Sequence, residues 1–291
     1  MKVKDLLNKA RKELEAGKIE SAWLDPQVLL SYLLSKEKEY LHIYPDKEIE
    51  KKIEKKYFSL IKKRGQGEPL AYLVGRKEFY GLDFAVGKGV LIPRPETELI
   101  IDETLNLDLN KYSSLNLIDV GTGSGCIITT LSKLLAQKNK ITFWGVDKYA
   151  TPLKHARKNA EKHKQTKIKF SKSSLLDYFL KNPGELKEFN LIIANLPYLT
   201  RDQFSQEKSI QKEPKTSLIS AEKGLKHYKK LLAQVTRLKK AKPGASFLIY
   251  CEINPEQAID LTKYAQEKLR PNNLQIKKDL AGLDRLVIMK F

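Results

Sequence analysis

The sequence predicts an α/β protein in which a small all-helical domain and a β-hairpin linker precede a doubly wound, mostly parallel sheet. Two patterns indicate this fold class. Residues 1 to about 70 have helical periodicity throughout, whereas strand-like and helical patterns alternate regularly after residue 95. Strands that alternate with helices of this length form parallel sheets covered on both faces. We therefore expect a helical domain over 1–72, a hairpin linker over 73–94 and an α/β domain over 95–291.

The N-terminal part of the chain carries amphipathic helical patterns separated by Pro45 and polar loops. These patterns cover residues 1–18, 21–34 and 47–64. Apolar and polar residues then alternate around Gly81 and Gly87, which predicts a hairpin within residues 77–93. A further amphipathic helix is expected to begin at Pro95.

The α/β part shows five strand-like runs in order, at 115–120, 141–147, 168–173, 189–195 and 245–253. Helical patterns lie between them at 125–136, 149–163 and 223–239. Two last strand-like runs, 274–280 and 283–291, are separated only by a glycine-containing turn. A turn that short predicts an antiparallel pair at one end of the sheet.

Composition excludes several classes of protein. With 291 residues, 41% of them hydrophobic, the chain has no apolar run of about 18 residues that could span a bilayer. Its N-terminus is an amphipathic helix rather than a secretory signal, so we expect a cytoplasmic protein with no membrane partner. Cys126 and Cys251 lie in apolar contexts, and four scattered histidines have no ligand spacing. We expect two small buried thiols, no disulfide and no metal site.

The net charge of +19, from 54 basic and 35 acidic residues, would attract an acidic partner. The excess is mostly lysine and is spread over every segment, where it alternates with glutamate and apolar residues as solvated helix faces do. No stripe of arginine and aromatic residues concentrates it. The charge therefore does not predict a dedicated nucleic-acid site.

A glycine-rich turn follows the first strand of the α/β part, in the order Asp119, Val120, Gly121, Thr122, Gly123, Ser124, Gly125. Glycines let the chain turn sharply and bring backbone N–H groups close to a ligand at the start of a helix. The same spacing also serves an ordinary strand-to-helix turn, so the turn alone does not define a binding site. The second strand ends in Asp147, where a carboxylate could bind both hydroxyls of a ribose.

The spacing of the glycines departs from the dinucleotide-binding pattern, and this departure indicates the type of cofactor. The spacing is G-x-G-x-G rather than G-x-G-x-x-G, and Asp119 would repel a pyrophosphate but tolerate an ammonium group. A nucleoside that carries an amino-acid tail fits better, and S-adenosylmethionine has that tail. Ser174 and Leu175 follow the third strand, where the adenine would lie. A helix cap followed by a core leucine is the alternative interpretation of that pair.

The fourth strand ends in Asn195, Leu196, Pro197 and Tyr198, at the sheet edge where α/β proteins bind ligands. A planar nitrogen is a poor nucleophile until both of its N–H bonds are held so that the lone pair faces the methyl carbon. The Asn195 side-chain oxygen and the carbonyl oxygen of residue 196 could accept those two hydrogen bonds. Tyr198 would then form a wall of the pocket. A plain turn after a buried strand is the alternative.

These motifs resemble those of the HemK/PrmC family of protein-(glutamine-N5) methyltransferases. The resemblance covers nearly the whole chain and is carried by SAWLDPQVLL, GEPLAY, EFYGLDFAV, LIPRPETE, DVGTGSGC, NLPY, the pair Glu213-Pro214, and KDLAGLDR. It implies a helical substrate-recognition domain followed by a seven-stranded Rossmann-like domain of the class I S-adenosylmethionine-dependent type. It also implies that the substrate is the glutamine of the Gly-Gly-Gln motif in peptide-chain release factors. S-adenosylhomocysteine would be the product, and we expect a monomer.

Three positions depart from the family pattern. Leu196 stands where a proline is usual, Ser174 where an acidic residue is frequent, and Asn190 where an aspartate begins the fourth strand. Leu196 should still supply the second acceptor, because every residue type has a backbone carbonyl. It lacks the fixed φ of proline and gains an N–H group that needs a partner.

Three rival functions remain open at the level of sequence. The same pair of hydrogen-bond acceptors could hold the amino group of an adenine or a guanine, so a nucleic-acid methyltransferase is one alternative. A glutamine methyltransferase of a ribosomal protein is a second. A cofactor-binding scaffold that has lost activity through Leu196 is the third.

Overall fold

The computed structural model describes residues 1–137 and 140–291, which divide into two compact units. The first unit comprises Met1–Arg76 together with Glu207–Lys212, and the second comprises Lys77–Gln206 and Glu213–Phe291. Within the described residues, we find no helix with the length and apolar character needed to cross a membrane.

The first unit is helical, as its periodicity predicts. It contains α1 (Val3–Ala16), α2 (Leu24–Leu34), α3 (Lys38–Ile43), α4 (Lys51–Gly65) and α5 (Leu70–Val74). A core that includes Leu6, Leu30 and Tyr57 is fully buried between these helices. The Nε atom of Arg64 donates to Asp25, at 2.6 Å from Oδ2, so the buried carboxylate at the start of α2 is neutralised by α4.

The remaining elements form the hairpin and the α/β layers. The strands are β1 (Arg76–Phe79), β2 (Leu82–Ala85), β3 (Leu115–Val120), β4 (Ile141–Asp147), β5 (Lys169–Lys172), β6 (Phe189–Ala194), β7 (Ser246–Glu252), β8 (Asn273–Lys278) and β9 (Asp284–Lys290). The helices are α6 (Glu98–Leu105), α7 (Cys126–Leu134), α8 (Ala150–Lys162), α9 (Asp177–Lys181), α10 (Arg201–Gln206), α11 (Lys226–Ala241) and α12 (Ala258–Lys268). A 3₁₀ turn at Pro95–Thr97 precedes α6, at the position predicted for a helix start.

The large sheet has seven strands in the order β5-β4-β3-β6-β7-β9-β8. Strands β3 to β7 pair in parallel, and β9 pairs antiparallel with both β7 and β8. The predicted α/β class and the antiparallel end of the sheet are thus confirmed. The bounds of β3 and β4 match the predicted ones, and those of β5 to β9 differ from the predicted bounds by one or two residues at their ends.

Alternate residues of each central strand enter two separate cores. On β3, for example, Leu115 and Leu117 join one buried cluster whereas Ile118 and Val120 join another. The first cluster also takes Phe79 from the hairpin, and α7 packs there as well. Because β3 and β6 are neighbours whose following connections run in opposite directions, a crevice forms outside their carboxyl ends.

Candidate active site

A cavity of about 320 Å³ opens at this crevice in the second unit. Its lining includes most of the residues predicted from the sequence: Gly121, Thr122, Gly123, Ser124, Asp147, Ser174, Leu175, Asn195, Leu196 and Pro197. Asp119, Gly125 and Tyr198 do not line it. The two sequence motifs meet because Val120 of β3 pairs with Ala194 of β6, immediately before the glycine turn and Asn195.

The glycine turn is held against β4 by its backbone N–H groups. The N–H groups of Gly121 and Thr122 both donate to the carbonyl oxygen of Val146, at 2.8 and 3.0 Å. Gly125 has φ +76° and a Cβ atom there would lie 2.9 Å from the Cβ of Ala156. It therefore lies behind the cavity, where it allows α8 to pack closely against the turn.

Asp147 closes the turn from the end of β4. Its Oδ2 accepts from the Gly123 N–H at 3.2 Å and its Oδ1 accepts from the Tyr149 N–H at 2.9 Å. Burial raises the pKa of this carboxyl group, and the backbone N–H groups partly offset the rise. Each oxygen retains a lone pair, so the group can still accept hydrogen bonds from a diol in the cavity.

Asp119 is buried and does not line the cavity. It is 1% exposed, and its Oδ2 accepts from the Thr122 hydroxyl at 2.6 Å. It shares strand parity with Leu115 and Leu117, so its side chain points to the same face of the sheet as theirs. Its contact with the cavity is indirect, through Thr122.

Burial raises the pKa of Asp119 from its ordinary 3.8 to about 7. The folded protein therefore binds this proton more tightly than the unfolded chain, so the contribution of Asp119 to stability falls as pH rises from about 4 to about 7. Asp119→Asn is expected to be more stable relative to wild type at pH 8 than at pH 5, by about 1–3 kcal/mol. Urea unfolding of the cofactor-free proteins at both pH values checks this. A stability difference that does not change with pH would contradict it.

Asn195 presents its carboxamide to the cavity with a defined orientation. Its Nδ2 donates to the Thr97 hydroxyl oxygen at 3.1 Å. No hydrogen bond from the described residues reaches its Oδ1. The side chain can thus offer an acceptor oxygen to a ligand while its donor side is engaged by the protein.

Leu196 has both of its backbone polar groups near one phenol. Its N–H donates to Tyr228 Oη at 3.3 Å, and its carbonyl oxygen lies 3.3 Å from the same hydroxyl. Tyr228 also donates to the carbonyl oxygen of Glu252, and this is the shortest hydrogen bond that the Tyr228 hydroxyl makes. The expectation that the additional N–H finds a partner is confirmed. The Leu196 carbonyl keeps a lone pair that Tyr228 does not use.

Leu196→Pro is expected to retain turnover, because the carbonyl remains and proline fixes φ. It should lose about 1–2 kcal/mol of stability, since the bond to Tyr228 disappears and a side chain that is 4% exposed becomes smaller. Steady-state turnover and urea unfolding of the same preparation measure both effects. If the folded variant lost its turnover, the carbonyl oxygen of residue 196 would not be the acceptor of a substrate N–H.

Tyr198 does not line the cavity. Its hydroxyl donates to Glu252 Oε1 at 3.5 Å, and its carbonyl oxygen accepts from Gln257 Nε2 at 2.7 Å. Burial and the nearby Glu252 raise its pKa. The phenol packs against the core beside Glu252, and its role as a wall of the substrate pocket stays a prediction.

Two charged residues of the quoted motifs form a support that sequence reasoning did not assign. Glu213 is 4% exposed, and its Oε2 accepts from the Ile92 N–H at 3.0 Å. Its other oxygen forms an ion pair with Arg94, which lines the cavity. The proline beside each residue was the available signal, because proline fixes φ and is typical of turns.

The region beside Ser174 and Leu175 is positively charged. Lys230 Nζ donates to the Ser174 hydroxyl at 3.1 Å, and Lys148 and Lys226 also line the cavity. Leu175 is 9% exposed and has φ +54°, so it joins the core as well as the lining. Both interpretations of the Leu175 position, core residue and cavity wall, therefore apply.

Asn190 lies at the opposite end of β6, where it accepts from Asn116 at 2.9 Å.

The described residues 1–137 and 140–291 contain no group of three or more histidine, cysteine or acidic side chains arranged to hold a metal. Cys126 and Cys251 are free and buried, as their apolar contexts predict.

A seven-stranded sheet of this order with a glycine turn and an acidic strand end defines a class I methyltransferase fold. A methyltransferase domain family matches residues 111–277, and the PrmC N-terminal domain family matches residues 5–75. The hMettl16 catalytic domain in complex with MAT2A 3'UTR hairpin 6 superposes with a TM-score of 0.55 at 16% identity, over 90% of this chain and 91% of that one. At that identity the likeness concerns the fold alone.

Relatives of the same length show the family. The release factor glutamine methyltransferase of Koribacter versatilis is 34% identical over 99% of this chain and 98% of its own. That of Nitratidesulfovibrio vulgaris is 31% identical over 98% and 94%. That of Aquifex aeolicus is 32% identical over 99% and 95%. The chain belongs to the release factor glutamine methyltransferase family.

Proposed function

We propose that this protein transfers a methyl group from S-adenosylmethionine to the side-chain amide nitrogen of the glutamine in the Gly-Gly-Gln motif of peptide-chain release factors. The observation that carries the proposal is the Asn195 carboxamide, whose Nδ2 is bound to Thr97 while its Oδ1 accepts no hydrogen bond from the described part of the chain. The names of the full-length relatives support the substrate class.

The residues of the cavity fit the cofactor. Asp147 can accept hydrogen bonds from the ribose hydroxyls, and the turn from Gly121 to Ser124 can receive the amino-acid tail, with Gly125 packing behind it and Asp119 holding Thr122 in place. Ser174 and Leu175 would lie beside the adenine. When bound, S-adenosylmethionine supplies an electrophilic methyl group, and S-adenosylhomocysteine is the product.

The protein's own task is to orient a weak nucleophile. Asn195 Oδ1 and the Leu196 carbonyl oxygen would accept the two N–H bonds of the substrate amide, which directs the nitrogen lone pair at the methyl carbon. Pro197 and Tyr198 complete the corner by fixing the chain after Leu196. A strong base is not required, because the methylated nitrogen is positively charged and loses its proton readily.

The three parts of the chain have separate roles in this proposal. Residues 1–72 would recognise the release factor, residues 73–94 would serve as the hairpin linker, and residues 95–291 would carry out methyl transfer. A monomer located in the cytoplasm, without a dedicated nucleic-acid site, suffices for this task.

Mass spectrometry of a release factor after incubation with the protein and S-adenosylmethionine tests the proposal. We expect one added methyl group on the glutamine of the Gly-Gly-Gln loop, and none when that glutamine is replaced by alanine. Methyl transfer to a ribosomal protein, DNA or RNA, with none to the release factor, would overturn the assignment. Absence of transfer to all of them would indicate a scaffold without activity.

A further inference from the structure

We propose that Thr97, supported by Glu252, is a positioning residue that fixes which side of the Asn195 carboxamide faces the substrate. The inference rests on the proposed function, since it treats Asn195 Oδ1 as the acceptor of a substrate N–H. Thr97 is 2% exposed, and its hydroxyl oxygen receives the hydrogen bond from Asn195 Nδ2 at 3.1 Å. It lies at the end of the 3₁₀ turn Pro95–Thr97 and lines the cavity.

A carboxamide can rotate by half a turn, which exchanges its donor and its acceptor. The Thr97 hydroxyl has only one hydrogen, and this group also interacts with the carboxyl group of Glu252. Burial raises the pKa of Glu252 to about 7, and the Thr97 hydroxyl lowers it by binding the ionised form. In that ionised form the carboxylate can only accept, so the Thr97 hydrogen is directed at Glu252 and the Thr97 oxygen accepts from Asn195. A rotated amide would bring two oxygens together without a hydrogen between them. Nδ2 therefore stays towards Thr97, and Oδ1 faces the cavity.

The sheet register places Glu252 for this role. Cys251 of β7 pairs with Ala194 of β6, so Glu252 and Asn195 are the next residues along two adjacent parallel strands. Glu252 is 1% exposed, and Tyr198 donates to its Oε1 at 3.5 Å. Within the described part of the chain, its Oε2 has no hydrogen-bond partner. A buried carboxyl group with spare acceptor capacity is costly for folding, which favours a role in the site over a role in stability.

The orientation itself can be measured without substrate. In ¹⁵N-labelled wild-type protein, the Asn195 side-chain NH₂ signal is assigned by its loss in Asn195→Ala. We expect hydrogen exchange of this NH₂ group to be about tenfold faster in Thr97→Val, which keeps the shape but removes the hydroxyl, and to stay close to wild type in Thr97→Ser. Equal exchange in Thr97→Val and wild type would overturn the proposal, whatever the substrate is.

Turnover of the release factor supplies the second measurement. Thr97→Val should lower kcat/KM by about ten- to thirtyfold, while the dissociation constant of S-adenosylhomocysteine changes less than about threefold. Thr97→Ser should recover most of the lost activity. Glu252→Gln can donate to Thr97 as well as accept, so it should show a smaller loss of the same kind.

A double-mutant cycle separates positioning from a general structural effect. If Thr97 acts through Asn195, Thr97→Val should cause no additional loss of kcat/KM in the Asn195→Ala background. If the double variant instead lost kcat/KM by the product of the two single-variant losses, the proposal would be overturned. If wild-type protein transfers no methyl group to the release factor, the proposed function fails, but the exchange measurement still decides the role of Thr97.

Discussion

Asn195→Ala is expected to lower kcat about a hundredfold or more, while affinity for S-adenosylhomocysteine falls less than about threefold. The reason is geometric. The substitution removes the acceptor that holds one substrate N–H, and the lone pair of the amide nitrogen is then no longer aimed at the methyl carbon. Asp147 and the glycine turn, which would hold the cofactor, do not depend on the Asn195 side chain for any hydrogen bond.

A matched control lies on the same strand. Asn190→Ala also removes a buried asparagine from β6, but at the end of the strand away from the cavity, where Asn190 Nδ2 donates to Lys187 O at 2.9 Å. It should reduce stability by about 1–3 kcal/mol and leave kcat of the folded enzyme close to wild type. Single-turnover kinetics and calorimetric cofactor binding compare the two variants. Similar kcat values for both would contradict the role of Asn195.

Gly224→Ala is expected to cost about 3 kcal/mol or more and to lower turnover as well. A Cβ atom at Gly224 would lie 2.0 Å from the Tyr198 carbonyl oxygen and 2.0 Å from Gln257 Nε2. These are the two atoms joined by the 2.7 Å hydrogen bond that holds the chain after Pro197. The added methyl group must therefore displace the corner that follows Asn195.

Gly244→Ala controls for the backbone conformation. Gly224 has φ +86° and Gly244 has φ +84°, but nothing lies within 4 Å of a Cβ atom at Gly244. That variant should lose only about 1 kcal/mol, the cost of a left-handed conformation. Thermal unfolding and turnover of both variants check the comparison. Equal effects would show that strain in φ, rather than contact with Tyr198, decides the outcome.

The fold was predictable because its determinants are local or periodic. Strands can be recognised from apolar patterns such as those at 115–120 and 189–195, without knowledge of tertiary contacts. One antiparallel pair can be recognised from the glycine-containing turn before residue 283. The grouping of Gly121 with Asn195 in one cavity was predictable for a similar reason. Both follow parallel strands, and the carboxyl ends of such strands meet at one edge.

The surroundings of Asn195 could not be read from the sequence. Thr97 precedes it by 98 residues, and Glu252 follows Tyr198 by 54 residues, so no short pattern joins them. Asp119 illustrates a different limit. Its parity with Leu117 indicates that its side chain faces the buried cluster, whereas the preference of a carboxylate for an ammonium group would place it at the cavity. The direction of Tyr198 depends on Glu252, which the local sequence does not contain.

The corner from Asn195 to Tyr198 has consequences for how the enzyme becomes active during folding. Its contacts reach Thr97, Tyr228 and Gln257, which lie 98, 32 and 59 residues away along the chain. Closing loops of that length costs conformational entropy, and the contacts that offset this cost come from three different parts of the chain. The substrate corner is therefore ordered only when all three parts are in place. Catalytic competence then reports on the folding of the whole second unit rather than of the glycine turn alone.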